Sequence, residues 1–266
     1  MQQPQVLIFD SGVGGLSVAQ CVHQRLPACA LHYLADNAFF PYGEQPEALL
    51  VERCVRLIAS YLQRHPIDLV VIACNTASTV VLPPLRAAIS QPVVGVVPAI
   101  KPAAALSRNR RIGLLATPAT VRRPYLEQLI ADFASDCEIT RVGEPALVRW
   151  IEEWVAGKPL PQIELAALLQ PFQQAEVDTV VLGCTHYPLI TEALQRACPG
   201  VSHWVDSGDA IARRTADLLG PAASAPTAPG SVQAQFTGPL PTGLEAFMTG
   251  IGLPPVALSS DAQAAS

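Results

Sequence analysis

Short apolar runs alternate with longer stretches of mixed apolar and polar residues over most of the chain. Runs of Val, Ile and Leu bounded by turn residues are typical of strands that are buried on both faces of a parallel sheet. The longer amphipathic stretches predict helices that cover such a sheet. The strands predicted in this way are residues 6–9, 31–34, 69–73, 93–97, 139–142 and 201–205, the run that starts at Arg111 and the run before Cys184.

The amphipathic stretches are spaced so that a helix follows most of these strands. The predicted helices are a segment ending near Arg25, residues 47–64, a helix after Cys74 that is interrupted near Pro83-Pro84, a segment ending near Phe133, and residues 145–155, 163–174, 211–219 and 244–248. Residues 220–230 are rich in Pro, Ala and Ser and predict a flexible connector. We expect an edge strand at 233–236 and a disordered tail at 259–266.

Two stretches of the chain are similar to each other. Residues 68–76 (DLVVIACNT) are echoed by residues 178–186 (DTVVLGCTH), so that Cys74 and Cys184 lie 184 − 74 = 110 residues apart. The strand at Arg111 repeats the first strand at an offset of about 106 residues, and 201–205 repeats 93–97 at an offset of 201 − 93 = 108. Three strands that recur at nearly constant spacing indicate a duplicated half-chain.

The duplication predicts an α/β fold with two similar parallel-sheet domains, related by a pseudo-twofold axis. We expect a first domain at residues 1–98 plus 207–266, with the C-terminal segment returning to it, and a second domain at 99–206. Ligands of open α/β sheets bind at the carboxyl ends of the strands. The predicted active site therefore lies in the cleft between the domains, where both cysteines end a strand.

Composition narrows the function classes. The net charge of −5 includes no basic patch, which argues against nucleic acid as a partner. No apolar run is long enough to cross a membrane, and the N-terminus has no signal-peptide pattern, so we expect a cytoplasmic protein without a membrane partner. The seven cysteines form no C-x-x-C pair and predict free thiols.

Three chemistries compete for a pair of cysteines at the cleft. A redox disulfide would usually use cysteines that are close in sequence, as in C-x-x-C. A metal site needs three or four soft ligands, and beyond Cys74, Cys184 and His186 no motif supplies the rest, so no metal is expected. Proton transfer on both faces of one carbon needs two opposed bases, which a pseudo-twofold axis would provide.

The first strand leads into Asp10-Ser11-Gly-Val-Gly-Gly. This turn is not a dinucleotide fingerprint, because Ser17 stands where G-x-G-x-x-G needs its last glycine, and it lacks the Gly-Lys-Ser/Thr ending of a phosphate loop. Asp10 and Ser11 could face the cleft, with an anionic group such as a carboxylate at the helix N-terminus, or could merely cap the helix.

The number of lysines bears on the cofactor. A pyridoxal-phosphate enzyme needs a lysine for its Schiff base. The chain contains only Lys101 and Lys158, and neither lies in a strand-end motif. A mechanism without a cofactor is therefore favoured.

Four motifs, in order and spacing, resemble the glutamate racemases of the cofactor-independent Asp/Glu racemase superfamily. They are Asp10-Ser11-Gly-Val-Gly-Gly, Pro41-Tyr42-Gly43, Ala73-Cys74-Asn75-Thr76-Ala-Ser and Gly183-Cys184-Thr185-His186-Tyr-Pro-Leu, and the similarity spans residues 6–219. The resemblance implies interconversion of L- and D-glutamate without a cofactor, to supply D-glutamate for peptidoglycan.

The resemblance also implies roles for individual residues. Cys74 would act on the D-enantiomer and Cys184 on the L-enantiomer, with Asp10 assisting the first thiol and His186 with Glu152 assisting the second. The segment before Glu152 differs from that of many members, which leaves Glu153 as an alternative. The residues implied to hold the substrate are Asp10, Ser11, Tyr42, Gly43, Asn75, Thr76, Thr117, Thr185 and His186.

Other readings of the sequence stay open. An aspartate or hydantoin racemase of the same superfamily is one alternative, although His186 after Cys-Thr favours glutamate. A catalytically silent amino-acid-binding protein is another, although two intact cysteines argue against it. The expected partner is small-molecule glutamate, and a homodimer is the expected assembly because dimers are the commonest oligomers.

Overall fold

A computed structural model of the protein describes residues 3–221, 229–254 and 256–260. Its strands form two parallel sheets, sheet A and sheet B. Sheet A contains β1 (Gln5–Asp10), β2 (Ala30–Ala35), β3 (Leu69–Ile72), β4 (Val93–Gly95), β9 (Val232–Phe236) and β10 (Val256–Ser260). Sheet B contains β5 (Arg111–Ala116), β6 (Glu138–Gly143), β7 (Thr179–Gly183) and β8 (His203–Val205).

The two sheets repeat one topology. Sheet A has the order β10-β9-β2-β1-β3-β4, and sheet B has the order β6-β5-β7-β8. The segment β2-β1-β3-β4 therefore corresponds strand for strand to β6-β5-β7-β8. The strands that precede Cys74 and Cys184, β3 and β7, occupy equivalent positions. The predicted fold of two similar parallel-sheet α/β units is confirmed.

Helices cover both faces of each sheet. They are α1 (Leu16–Arg25), α2 (Glu47–Arg64), α3 (Asn75–Ala88), α4 (Ile100–Leu106), α5 (Pro118–Val121), α6 (Pro124–Phe133), α7 (Ala146–Val155), α8 (Gln162–Gln174), α9 (Thr191–Ala197), α10 (Gly208–Leu219) and α11 (Leu244–Gly250). On sheet A, α1, α10 and α11 pack on one face, and α2 and α3 on the other. On sheet B, α7, α8 and α9 lie opposite α4 and α6.

The unbroken apolar runs of the central strands follow from this layering. In β1, Val6 and Ile8 belong to one core cluster, whereas Leu7 and Phe9 belong to the cluster on the opposite face. Successive side chains of a strand point to opposite faces, so a strand covered by helices on both sides needs apolar residues at every position. Sequence reasoning identified β1 and β3 on this basis.

The C-terminal segment departs from the prediction. Residues 233–236 were expected to form an edge strand, but β9 is an interior strand that pairs with β2 on one side and β10 on the other. Strand β10 includes Ser259 and Ser260, which were expected to be disordered. Its apolar run consists only of Val256, Ala257 and Leu258. A run of three residues is too short to predict a strand from the sequence pattern alone.

Both C-terminal strands extend sheet A, and the chain crosses between the halves after β4 and after β8. The domain boundaries at 98/99 and 206/207 stay predictions. Most of the predicted connector at 220–230 and of the predicted tail lies outside the described residues, since 222–228 and 261–266 are not described. Within the described ranges, no helix combines the length and apolar character needed to span a membrane.

The predicted interruption at Pro83-Pro84 is wrong, because α3 continues through both prolines. A proline inside a helix removes one hydrogen bond and leaves a carbonyl without its partner. Pro83 lies on the exposed side of α3, where water can hydrate such a carbonyl, while Val81 and Leu85 continue the buried face. Packing of that face outweighs the local cost.

Candidate active site

The two thiols occupy equivalent positions at the carboxyl ends of strands. Cys74 comes two residues after β3 and is the N-cap residue of α3, and Cys184 follows β7 directly. Both are buried, and both line one cavity of about 20 Å³ between the two halves. The thiols therefore share a space to which each half contributes one sulfur.

Most of the residues singled out in the sequence line the same cavity. They come from both halves of the chain and are Ser11, Tyr42, Gly43, Asn75, Thr76, Thr117, Thr185 and His186. Asp10 and Glu152 do not line the cavity but contact residues that do. Phe40, Pro41 and Val148 also line it and were not among the predicted site residues. Val148 lies four residues before Glu152 on α7, so the helical period could have identified it.

The first thiol lies beside Ser11 and near Asp10. The Cys74 thiol donates to the Ser11 hydroxyl over 3.9 Å. Burial, and then the neighbouring Asp10 carboxylate, raise the pKa of Cys74 well above its ordinary value. Cys74 is therefore favoured as a protonated thiol.

Asp10 connects the two halves next to the cavity without lining it. Its fully buried carboxylate accepts hydrogen bonds from the Gly12 amide at 2.9 Å and, across the cleft, from the Thr185 hydroxyl at 3.0 Å. Burial raises the pKa of Asp10 to about 6, against the opposing influence of His186. Asp10 thus changes charge closer to neutrality than an exposed carboxylate does.

The second thiol lies against a histidine. The Sγ atom of Cys184 is 3.7 Å from Nδ1 of His186, and Nε2 of His186 is 2.7 Å from Oε1 of Glu152. Burial by itself would lower the pKa of His186, but the hydrogen bonds to Cys184 and Glu152 raise it well above its ordinary value. A histidine that contacts Glu152 therefore lies within hydrogen-bonding reach of the second thiol.

Glu152 is the acidic residue that contacts His186, whereas Glu153 turns away. Glu153 forms an exposed ion pair with Lys158 at 3.3 Å. The Oε1 atom of Glu152 also accepts a hydrogen bond from the Val13 amide of the opposite half at 2.8 Å. One carboxylate oxygen therefore contacts the histidine of one half and the glycine turn of the other.

The glycines of this turn are required by close contacts across the cleft. A Cβ atom added at Gly14 would lie 2.7 Å from Cε1 of His186, which is closer than a Cβ can approach. The turn is held from behind by Tyr33, whose hydroxyl donates to the Gly12 carbonyl at 2.6 Å. The small residues of this turn therefore let the two halves meet at the site.

Asn75 has an unusual environment for a buried amide. Its side chain is 4% exposed, and neither its oxygen nor its nitrogen has a hydrogen-bond partner among the described residues. Buried polar atoms are nearly always paired in folded proteins. An unpaired amide that lines the cavity is therefore suited to bind a polar ligand there. Two other residues that line the cavity come from different halves, and their hydroxyls, those of Thr76 and Thr117, lie 3.4 Å apart.

A larger cavity of about 850 Å³ lies elsewhere between the halves and is lined by residues that include Gln20, Trp154 and Arg196, but by neither thiol. The candidate active site is therefore assigned by the chemistry of the residues that line it, not by its volume.

In the described part of the chain, no group of three or more His, Cys, Asp and Glu side chains is arranged to hold a metal ion.

Known proteins resemble the chain over most of its length. A sequence profile of the Asp/Glu/Hydantoin racemase family matches residues 15–215. A glutamate racemase of Klebsiella pneumoniae (strain 342) is 54% identical over 219 residues, which cover 82% of this chain and 77% of that protein. A glutamate racemase of Vibrio vulnificus (strain YJ016) is 54% identical over 217 residues, 82% of each chain.

A solved structure shares the whole fold. The crystal structure of Escherichia coli glutamate racemase in complex with L-glutamate and the activator UDP-MurNAc-ala superposes with a TM-score of 0.88 at 44% identity, covering 97% of this chain and 99% of that one. Glutamate racemase of Thermus thermophilus, in complex with beta-chloro-D-alanine, gives a TM-score of 0.74 at 31% identity, with 97% of both chains covered.

Proposed function

The chain belongs to the Asp/Glu/hydantoin racemase family, and we propose that it interconverts L-glutamate and D-glutamate with Cys74 and Cys184 as the two bases. The product D-glutamate would supply peptidoglycan synthesis. The observation that carries this proposal is the single cavity lined by both thiols, each at the end of an equivalent strand in a duplicated fold.

Inversion of a stereocentre by proton transfer needs one group on each face of the carbon. One base removes the α-proton, and an acid on the opposite side delivers another. A pseudo-twofold axis through the cleft places equivalent groups on opposite sides of anything bound on that axis. The arrangement of Cys74 and Cys184 supports this mechanism for an amino acid held between them.

The two thiols have different electrostatic surroundings. Cys184 faces His186, whose pKa is raised by the hydrogen bonds to Cys184 and Glu152, whereas burial and Asp10 raise the pKa of Cys74 and favour its thiol form. In the L-to-D direction Cys184 takes the α-proton of L-glutamate, and Cys74 donates its proton to the other face to give D-glutamate. No atom beyond these protons is exchanged, so no redox partner is needed.

The reverse direction requires Cys74 to lose its proton before D-glutamate reacts. The Ser11 hydroxyl lies 3.9 Å from Sγ of Cys74 and 3.4 Å from a carboxylate oxygen of Asp10. This hydroxyl can carry the proton from Cys74 to Asp10, which is mostly ionised above its pKa of about 6. The proton that Cys184 delivers to the opposite face can come from His186, whose Nδ1 lies 3.7 Å from its sulfur. Ser11 and Asp10 are therefore assigned to the first thiol, and His186 and Glu152 to the second.

Without a cofactor, the negative charge that develops at the α-carbon must be stabilised by the protein. Amide and hydroxyl groups that line the cavity can bind the α-carboxylate as charge moves onto it, and these include the unpaired amide of Asn75. A narrow cavity excludes water, which strengthens such interactions. We assign Asn75, Thr76, Thr117 and Thr185 to substrate binding, together with the backbone of Tyr42 and Gly43.

The cleft has to widen to admit the substrate. A cavity of about 20 Å³ is far below the roughly 300 Å³ of the smallest typical ligand pockets. A neighbouring cavity of about 350 Å³ shares Pro41, Gly43, Thr117 and Val148 with it and provides a route from solvent. Glu44 lines this neighbouring cavity and forms an ion pair with Arg149 of the other half, and since both side chains are about half exposed, separating them costs little.

Aspartate or hydantoin racemisation is the alternative within the family, and a silent binding protein is the alternative outside enzymes. Relatives at 54% identity that are glutamate racemases favour glutamate. A cytoplasmic location and assembly into a homodimer stay predictions. Sedimentation or light scattering of the purified protein would establish its oligomeric state.

The proposed reaction is tested by circular dichroism with L-glutamate, D-glutamate and L-aspartate as substrates. We expect turnover of both glutamate enantiomers, and its loss in Cys74→Ala and Cys184→Ala with the fold retained. Cys198→Ala is the matched control, because Cys198 is buried in the same half as Cys184 but does not line the cavity. Full turnover in either active-site variant would rule out the two-thiol scheme, and glutamate binding without turnover in the wild type would support the silent binder.

A further inference from the structure

Asp36 is a fully buried carboxylate that lies next to the candidate active site without lining its cavity. It directly follows β2, and its backbone amide donates to the Asp10 carbonyl at 2.8 Å. Its carboxylate accepts four hydrogen bonds, from Arg53 Nε at 2.6 Å, from a second Arg53 nitrogen at 2.7 Å, from the Tyr42 hydroxyl at 2.8 Å and from the Thr237 hydroxyl at 2.7 Å. A carboxylate so fully bonded holds its partners in fixed positions.

Tyr42 connects this carboxylate to the cavity. The residue lines the cavity together with Gly43, yet its ring is 2% exposed and lies near Phe9 and Phe39, with ring centroids 6.4 and 6.3 Å away. Burial, followed by the charges of Cys54 and Asp36, raises the pKa of Tyr42 well above its ordinary value, so the hydroxyl keeps its proton and remains a donor. The Tyr42 hydroxyl is therefore a suitable donor for the Asp36 carboxylate.

Arg53 neutralises the buried carboxylate of Asp36. The guanidinium binds both Asp36 oxygens and lies 5.1 Å from the centre of the Phe39 ring. An unpaired buried carboxylate is strongly unfavourable, so Asp36 and Arg53 depend on each other. Bidentate pairing also fixes the orientation of the carboxylate, which a single bond would leave free to rotate.

Thr237 ties the C-terminal segment to the same point. It follows β9 directly, and its hydroxyl both donates to Asp36 and accepts from the Ala38 amide at 3.2 Å. The Asp36 carboxylate thus joins α2, the segment 37–44 and the C-terminal strand next to β2.

We propose that Asp36 is a positioning residue that fixes the Tyr42-Gly43 segment for binding glutamate, with Arg53 as its charge partner. This inference rests on the proposed function. Asp36 touches no substrate; it acts by holding the Tyr42 hydroxyl, and through it the backbone that forms one wall of the cavity. Gly43 faces Thr117 of the other half, so a shift of this segment would change the width of the cavity where the substrate binds.

The test compares two variants that each remove one buried tyrosine hydroxyl from the same half. Tyr42→Phe loses the bond to Asp36. Tyr61→Phe loses an equally buried bond, to Nδ1 of His32 at 2.9 Å, away from the cavity. Both should lower the melting temperature. Only Tyr42→Phe should raise KM for glutamate, by about tenfold, which corresponds to about 1.4 kcal/mol, with kcat within about twofold of the wild type.

Asp36→Asn should increase KM for glutamate more than Tyr42→Phe does. If the Asp36→Asn variant does not fold, the comparison of Tyr42→Phe with Tyr61→Phe alone tests the role of Asp36. A KM for Tyr42→Phe equal to that of Tyr61→Phe would overturn the inference. Calorimetric titration with D-glutamate gives the same comparison as a ratio of Kd values and does not depend on turnover, because interconversion of enantiomers releases no net heat. An inactive wild type that binds glutamate would therefore count against the proposed reaction, while the ratio of Kd values would still decide the role of Asp36.

Discussion

The Oε1 atom of Glu152 lies 2.7 Å from Nε2 of His186, and the same oxygen accepts a hydrogen bond from the Val13 amide in the opposite half. One carboxylate therefore supports the histidine beside Cys184 and connects it to the turn that carries Asp10. The protonation of His186 is thereby coupled to contact between the halves.

Replacing Glu152 with Gln should lower the pKa of His186. The carboxylate stabilises the imidazolium, so its loss favours neutral imidazole, and the limb of the pH–rate profile that belongs to His186 should move to lower pH. A hydrogen bond to a charged group contributes about 1.5–3 kcal/mol, so kcat should decrease roughly tenfold to a hundredfold. Glu153→Gln is the matched control, because Glu153 pairs only with exposed Lys158 in the described contacts. Equal effects of the two variants would contradict the assignment.

His186→Gln tests the group beside Cys184 directly. A positioned acid–base group contributes about a hundredfold to ten-thousandfold to rate, and we expect a loss of this size in kcat with L-glutamate. The control is His203→Gln, since His203 lies on β8 outside the cavity. A His186→Gln enzyme with wild-type kcat would remove His186 from the mechanism.

Gly14→Ala should abolish activity while leaving the protein folded. The added methyl group would collide with the His186 ring, which must then move away from Cys184 or push the halves apart. Gly200→Ala is the control, because a Cβ at Gly200 meets no atom within 4 Å. The measurements are kcat with each enantiomer and the melting temperature. An active Gly14→Ala variant would show that the halves need not approach this closely.

Asp10 should make stability depend on pH. Its folded pKa of about 6 lies above the ordinary 3.8, so the folded state binds the proton more tightly than the unfolded state. The resulting stabilisation is complete below about pH 3.8 and is lost as the pH rises through 6. With about 1.4 kcal/mol for each pH unit, the loss is on the order of 3 kcal/mol.

Urea denaturation of the wild type and of Asp10→Asn between pH 4 and 7 measures this effect. The free energy of unfolding of the wild type should fall relative to that of the variant as the pH rises, because asparagine does not titrate. Other carboxylates titrate in both proteins and cancel in the difference. A difference that stays constant over this range would show that Asp10 is not held in a desolvated environment.

Sequence reasoning was most successful where structure is local. The apolar runs before Cys74 and Cys184 predicted two buried strands, because a strand that is buried on both faces needs apolar residues at nearly every position. The constant spacing of the similar segments predicted the repeated topology. The cavity brings together residues that the motifs had named. Glu152 was ambiguous in the sequence, and only its distance to His186 separates it from Glu153.

Long-range relationships could not be obtained in the same way. The bond between Val13 and Glu152 joins residues 139 positions apart, and no local pattern encodes it. The hydrogen bonds of Asp36 to Arg53 and Thr237 could not be predicted from the sequence either, since a charged residue in a loop or on a helix usually faces solvent. Strand β10 was missed because its pairing with β9, not its own short sequence, makes it a strand.

The central claim, that two opposed thiols act on opposite faces of one carbon, is tested most directly by racemisation in D₂O. L-glutamate is incubated with the enzyme for a small fraction of the approach to equilibrium, and deuterium at the α-carbon is measured in the product and in the recovered substrate. Two separate bases predict solvent deuterium in the D-glutamate and almost none in the remaining L-glutamate, with the mirror-image result from D-glutamate. D-glutamate that retains the original α-hydrogen would mean that one base serves both faces, and would contradict the account.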